Sequence, residues 1–196
     1  MDLQNETDNC AFIFADREEV GSQGVHGADS NMMERFLFEV FASYESTDYF
    51  KLRKTISNSV MVSGDVNVGV DPTWSERTDS ENSGHMGSGV CLTKYTGAGG
   101  KAMASEADTS LVAQMRRVMD KRGVAWQQGE LGKVDGGGGG TVAKHFARQG
   151  VQVFDMGPPV LGMHSPFEIL SGDDLNATYG AYAAFWEDFE IQDPLT

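Results

Sequence analysis

The sequence predicts an α/β fold, a three-layer αβα sandwich around a mostly parallel sheet. Short apolar runs of strand length alternate with stretches in which apolar residues recur at helical spacing. Polar or glycine-rich segments follow several of the strand candidates, and in such sheets functional groups gather in loops beyond the strand ends. With 196 residues, the chain can form one domain with a sizeable core.

The elements of the first half alternate between the two periodicities. A short apolar run predicts a buried strand, and a helix follows with Ser30 as its N-cap. Valines at alternate positions then predict one long strand before a polar, turn-rich loop. The predicted ranges are 10–15 for the first strand, 31–44 for the helix, 60–70 for the long strand and 71–87 for the loop.

The second half continues the alternation. Strands are predicted at 90–95, 124–128 and 151–155. A helix capped by Ser105, with Asp108 three residues later, is predicted to end before Gly123, and further helices are predicted from the glycine run to about Arg148 and from Ser171 onward. Pro158-Pro159 predicts an irregular path. For the last helix, the residues expected to face the core are Leu175, Thr178, Tyr179, Tyr182, Phe185, Trp186 and Phe189.

Composition excludes several classes of function. No apolar run approaches the ~20 residues that a bilayer-spanning helix needs. The acidic, polar start predicts no secretory signal, and two cysteines do not indicate a disulfide scaffold. A net charge of −14 disfavours nucleic acids and anionic membranes as partners, although it also serves solubility. We expect a cytoplasmic protein that binds neither nucleic acid nor membrane.

Three acidic residues and one histidine are candidates for metal chemistry. Glu18 and Glu19 are adjacent at a predicted strand end, where one could bind a metal while the other accepts a proton from metal-bound water; a solvated acidic turn is the alternative. Asp65 lies among apolar residues and needs a partner, either a metal ion or hydrogen bonds within a turn. His164, in a proline-rich loop, is either a zinc ligand or a structural histidine.

The glycine run 136–140, followed by Thr141, could bring backbone N–H groups close to an anion. It lacks the Gly-Lys-Ser/Thr ending of a phosphate loop and the Gly-x-Gly-x-x-Gly fingerprint. A flexible connection is the alternative interpretation. An anion- or nucleotide-binding α/β domain therefore remains a minor hypothesis.

Four strings of the sequence, in this order and spacing, resemble the aspartyl aminopeptidase and aminopeptidase I family of di-zinc peptidases. They are DREEVGS at 16–22, SGDVNV at 63–68, GELGKVD at 129–135 and DMGPPVLGMHS at 155–165. The resemblance extends along nearly the whole chain. It implies hydrolysis of the N-terminal peptide bond of peptide substrates by a two-zinc site; cobalt and manganese also suit carboxylate and imidazole ligands.

The resemblance assigns roles to seven residues. One is a general base, three are metal ligands and three lie on the substrate side. They are Glu18 as the base, Glu19 and His164 on one zinc, Asp65 on the other, and Lys94, Gly140 and Thr141 near the substrate.

The chain also departs from the family pattern. The family's first zinc-binding histidine, its bridging aspartate and its inserted dimerisation domain have no counterpart here. We therefore expect residues 1–196 to be the C-terminal portion of the peptidase domain, incomplete at the N-terminal side and inactive or nearly so alone. The complete enzyme is expected to be a homo-oligomer. Val68 replaces a histidine of the acidic-specific members, which leaves the preferred N-terminal residue open. The alternative is a non-catalytic remnant that acts as a binding or regulatory module.

Overall fold

The computed structural model describes residues 9–44, 47–97, 99, 104–133 and 135–191. Within them the helices are α1 Met32–Ser43, α2 Tyr49–Ser57, α3 Thr109–Arg122, α4 Ala143–Arg148 and α5 Gly172–Asp188. The strands are β1 Val60–Ser63, β2 Asn67–Val68, β3 Val90–Thr93, β4 Trp126–Gln128, β5 Gln152–Gly157, β6 Pro159–Leu161 and β7 Ile169–Leu170. Single 3-10 turns lie at Glu18–Val20 and Ser75–Arg77.

The central sheet has the strand order β1-β5-β3-β4. The β1–β5 and β3–β4 pairs are parallel, and β5 runs antiparallel to β3. A smaller sheet, β2-β6-β7, combines a parallel pair with an antiparallel one. Strand β5 lies inside the sheet: residues 152–155 pair with β1 and residues 155–157 pair with β3, so Asp155 is paired on both sides.

Helices cover both faces of the central sheet, as the αβα prediction requires. On one face α3 and α5 pack on β3 and β5, with Leu92, Met115 and Phe154 almost completely buried. On the other face α2 and α4 form a second cluster around Ile56 and Phe146, and residues of α1 pack against it. Alternate residues of each strand supply the two clusters, as a pleated strand dictates. The predicted fold class is confirmed.

The end of α3 and the start of α5 lie where the sequence predicts them, but α3 is capped by Asp108 and not by the predicted Ser105. The Asp108 carboxylate accepts a hydrogen bond from Ser110 N at 2.8 Å, and Gly123 closes α3 in the left-handed region with φ 65°. Ser171 caps α5 by accepting from Asp173 N at 3.2 Å. No helix in the described ranges is both long and apolar enough to cross a membrane.

Two of the predicted strands are wrong as stated. Residues 10–15 form no strand, because a short apolar run gives a strand only where another strand pairs with it, and the nearest pairing is a single bridge between Asp16 and Gly27. The predicted strand 60–70 is two strands. It breaks where the Asp65 carboxylate accepts a hydrogen bond from Val66 N at 2.8 Å, which closes a local turn.

The structure also contains one helix that was not predicted, and it corrects the predictions for the prolines and for α5. Helix α2 was not predicted; it is short and buries only Leu52 and Ile56. Pro159 begins strand β6 rather than an irregular path, because a strand's first residue can lack an N–H. Helix α5 packs on the core through Tyr182, Phe185 and its C-cap residue Phe189, as predicted. Two other predicted core residues are largely exposed: Leu175 at 53% and Tyr179 at 71%.

Candidate functional site

The adjacent glutamates lie on a single 3-10 turn with unusual flanking backbone. Arg17, before the turn, has φ 62°, and Gly21, after it, has φ 102°. A left-handed arginine is uncommon, and such residues concentrate at functional sites. The turn leaves Glu18 half-buried and Glu19 exposed.

His164 reaches the same place from the loop after β6. Its backbone is also left-handed, with φ 65°, and its N–H donates to Glu168 Oε1 at 2.6 Å. Its Nε2 lies 3.5 Å from Glu19 Oε2, although the two residues are far apart in sequence. The structure therefore brings together Glu19 and His164, as the sequence predicts.

Asp65, in the break between β1 and β2, is electrostatically coupled to both of them. Burial raises the pKa of the Asp65 carboxyl, and the negative charge of Glu19 adds to that rise. The hydrogen bond from Val66 N and the neighbouring His164 lower the same pKa. We call Glu18, Glu19, Asp65 and His164 the carboxylate cluster.

Glu18 interacts with every other member of the cluster. Burial is the largest cause of its raised pKa, and the charges of Asp65 and Glu19 add to it. His164 and Lys144 oppose the rise. A carboxylate with a raised pKa holds a proton more readily, which is the property that a general base needs.

The donor atoms of Glu19 and His164 fit a shared metal ion. Two ligands at about 2.0–2.1 Å from a tetrahedral zinc lie roughly 3.3 Å apart, close to the observed 3.5 Å. In the described part of the chain, however, no group of three or more His, Cys, Asp or Glu side chains is arranged to hold a metal. The pair can supply two ligands, and Asp65 lies within electrostatic range without joining them.

The three residues predicted on the substrate side lie in different environments. Lys94 Nζ is 2.8 Å from Glu106 Oε1, outside the carboxylate cluster, and this contact raises the pKa of Lys94. Thr141 is buried. Gly140 is exposed, and a side chain there would meet Lys144 Nζ at 3.3 Å. The structure does not join Lys94 to the cluster.

Two residues beside the cluster were missed as candidates. Burial raises the pKa of Asp155, on β5, to about 6; Asp65 adds to the rise, and the hydroxyls of Ser63 and Thr141 oppose it. Tyr182, on α5, has a pKa raised to about 12, first by burial and then by Asp65 and Asp155. A signal for Asp155 was available: an acidic residue closing an apolar strand.

This fold is shared with solved structures described as aminopeptidases. The chain is a member of the family described as aminopeptidase I zinc metalloprotease (M18), whose model matches residues 1–186. It is 43% identical over 191 residues to the "Probable M18 family aminopeptidase 1" of Borreliella burgdorferi strain ZS7. It is 44% identical over 184 residues to the protein of the same name from Thermotoga maritima. The predicted family is confirmed.

Solved structures agree with this assignment. The crystal structure of the M18 aminopeptidase from Thermotoga maritima matches with a TM-score of 0.85 and 44% identity, over 90% of this chain and 39% of that chain. Aminopeptidase I from Clostridium acetobutylicum matches with a TM-score of 0.80 and 40% identity, over 88% and 37% respectively. The Borreliella and Thermotoga sequence matches cover 96% and 93% of this chain but only 42% and 41% of those proteins. The chain thus spans about two fifths of the length of these relatives.

Proposed function

We propose that this chain is the C-terminal portion of the peptidase domain of a zinc aminopeptidase, which removes N-terminal residues from peptides. Glu19 and His164 would bind one zinc ion, Asp65 would bind a second, and Glu18 would be the general base. The supporting observation is the 3.5 Å approach of His164 Nε2 to Glu19 Oε2, with Glu18 and Asp65 electrostatically coupled to that pair.

The chain's own residues account for the proton transfer. Bound metal ions would supply Lewis acidity towards the carbonyl group and lower the pKa of a bound water. Glu18 would accept a proton from the attacking water and deliver it to the leaving amine. Burial, and then the like charges of Asp65 and Glu19, raise the pKa of Glu18, so this carboxyl group would hold the proton between the two transfers.

The buried Thr141 and the neighbouring Gly140 would border the bound peptide. Lys94 is already engaged by Glu106, so it is not a free receptor for an acidic side chain. Together with Val68, where acidic-specific members carry histidine, this favours a neutral N-terminal residue in the substrate. We also propose that the complete enzyme is a cytoplasmic homo-oligomer; a solved structure with 19% identity and a TM-score of 0.69 is described as the S. cerevesiae mApe1 dodecamer.

Metal binding tests the proposed site directly. Co²⁺ added to the purified chain should give visible absorption, and Glu19→Gln and His164→Asn should each weaken binding by about tenfold or more. His85→Asn is the matched control, because His85 is an exposed histidine that contacts Ser80 O in a separate loop. Equal Co²⁺ binding by all four proteins would refute the site.

Turnover tests the role of Glu18. The chain should be assayed on aminoacyl substrates alone and after joining the N-terminal portion found in its longer relatives. In the joined protein Glu18→Gln should keep the metal and lose activity by roughly 10²-fold or more. Retained activity would remove Glu18 as the base.

A second function is favoured by one observation. The described residues contain no three-ligand group, as expected if the chain were a non-catalytic module that binds or regulates a complete enzyme. In that case metal-dependent turnover would be absent even from the joined protein.

A further inference from the structure

Three polar side chains form a row across the central sheet. In register, Asp155 of β5 pairs with Ser63 of β1 on one side and with Thr93 of β3 on the other. All three are buried, with exposures of 7%, 1% and 2% respectively. Residues in register share a face of the sheet, so the row lies on the α4 side, opposite Phe154.

The three side chains of this row differ in their hydrogen bonding. Thr93 Oγ1 accepts from Asn67 Nδ2 at 2.6 Å. Ser63 Oγ and Asp155 Oδ1 are buried with no partner in hydrogen-bond geometry among the described residues. Leaving a buried polar atom unpaired is costly, so such atoms call for a functional explanation.

Two functional segments meet at Asp155. Ser63 ends β1 and leads directly to Asp65, whose backbone crosses the end of β5: a side-chain carbon at Gly157 would lie 1.8 Å from Asp65 O. On the other side, the Thr141 hydroxyl ends the glycine run and accepts from Ala143 N at 3.3 Å at the start of α4. Asp155 interacts electrostatically with Asp65 and lies beside both hydroxyls.

We infer that Asp155 is a positioning residue that holds the Asp65 turn and the glycine run in one fixed arrangement, because its buried carboxyl group packs beside the hydroxyls of Ser63 and Thr141. The inference rests on the proposed function, in which Asp65 binds metal and the glycine run borders the substrate. Asp155 itself would contact neither the metal nor the substrate. Its role is to set the distance between the Asp65 turn and the glycine run.

Amide hydrogen exchange on the chain tests this coupling without any metal. The two reporters are Val66 N–H, bonded to the Asp65 carboxylate, and Ala143 N–H, bonded to the Thr141 hydroxyl. In Asp155→Asn both should exchange roughly tenfold faster while β3 and α3 keep their protection. Unchanged reporters, or acceleration throughout the chain, would overturn the inference.

Milder variants keep the test open if Asp155→Asn does not fold. Ser63→Ala should accelerate mainly Val66, and Thr141→Val mainly Ala143, because each removes one of the two hydroxyls. Asp174→Asn is the matched control, a buried aspartate that contacts Gly87 and Gly89 instead. In this control the Val66 and Ala143 N–H groups should exchange at wild-type rates relative to β3. Their acceleration would count against the inference.

Co²⁺ binding gives the functional readout. Asp155→Asn should weaken Co²⁺ affinity by roughly tenfold, as is common for groups that orient metal ligands. An unchanged affinity would overturn the link to the metal. If the wild-type chain itself bound no Co²⁺, the proposed function would fail, while the exchange rates would still decide whether Asp155 couples the two segments.

Discussion

Two buried aspartates in the same domain are used in opposite ways. Asp174, in the first turn of α5, is completely buried, and its two oxygens accept from Gly87 N at 2.6 Å and Gly89 N at 2.7 Å. Asp155 is nearly as buried, yet its Oδ1 has no partner in the described part of the chain. The first carboxylate ties a loop to a helix. The second lies beside like charges.

The difference separates stability from function. Where the fold must be held, each oxygen of the buried carboxylate has a backbone donor, so burial is compensated. Around the carboxylate cluster, like charges, left-handed residues and unpaired oxygens accumulate, each of which costs stability. Such a concentration of unfavourable features is expected where a site must bind something else.

The largest expected effect on stability is at Asp174, whose two carboxylate oxygens each accept a hydrogen bond. Asp174→Ala should lower the free energy of unfolding by about 3–5 kcal/mol, because it leaves two backbone donors unpaired. Chemical denaturation measures the change. Asp173→Ala, at the exposed neighbouring position, is the control and should cost less than about 1 kcal/mol. Equal effects of the two substitutions would break the comparison.

For Asp155, whose Oδ1 has no hydrogen-bond partner among the described residues, we expect the free energy of unfolding to depend on pH. The pKa of Asp155 is about 6 in the folded chain, above its ordinary 3.8, so the folded state binds the proton more tightly. Its stabilising contribution is therefore complete below about pH 4 and is lost as pH rises towards 6, by up to about 3 kcal/mol. Asp155→Asn should abolish this part of the slope.

Stability curves of the wild type and Asp155→Asn between pH 3.5 and 7 would be compared, within about ±0.5 kcal/mol per point. Glu130, whose pKa burial raises to about 7, titrates in both proteins and cancels in the difference. Parallel curves would show that Asp155 is not buried as described. A stable Asp155→Asn with weakened metal binding would sharpen the contrast with Asp174.

The smallest effect is expected at His164. Its left-handed backbone, with φ 65°, is costly for a residue with a side chain, so His164→Gly should raise the free energy of unfolding by up to about 1 kcal/mol. The same substitution should weaken Co²⁺ binding. His164→Asn, which tolerates this backbone better, should leave stability nearly unchanged. A clear loss of stability in the glycine variant would mean that His164 is structural.

Prediction from sequence succeeded where local signals and burial agreed. The end of α3 at Gly123 and the start of α5 at Ser171 were predicted, because capping depends on neighbouring residues, whereas α3 begins after Asp108 and not at the predicted Ser105 cap. It failed at residues 10–15, where a short apolar run lacked a pairing strand, and at Leu175 and Tyr179 of α5, which are exposed while Phe185 and the C-cap residue Phe189 of the same helix pack on the core. Pairing and packing depend on distant parts of the chain.

The candidate site divides in the same way. The sequence by itself determined which residue types could bind metal, since Glu18, Glu19, Asp65 and His164 were all singled out, and it indicated the family. Only the tertiary structure decided that Glu19 and His164 approach to 3.5 Å, that Lys94 is held by Glu106, and that Asp155 lies close to both Asp65 and Thr141. The type of each residue fixes the chemistry of its side chain. Distances between residues far apart in sequence are fixed only when the sheet forms.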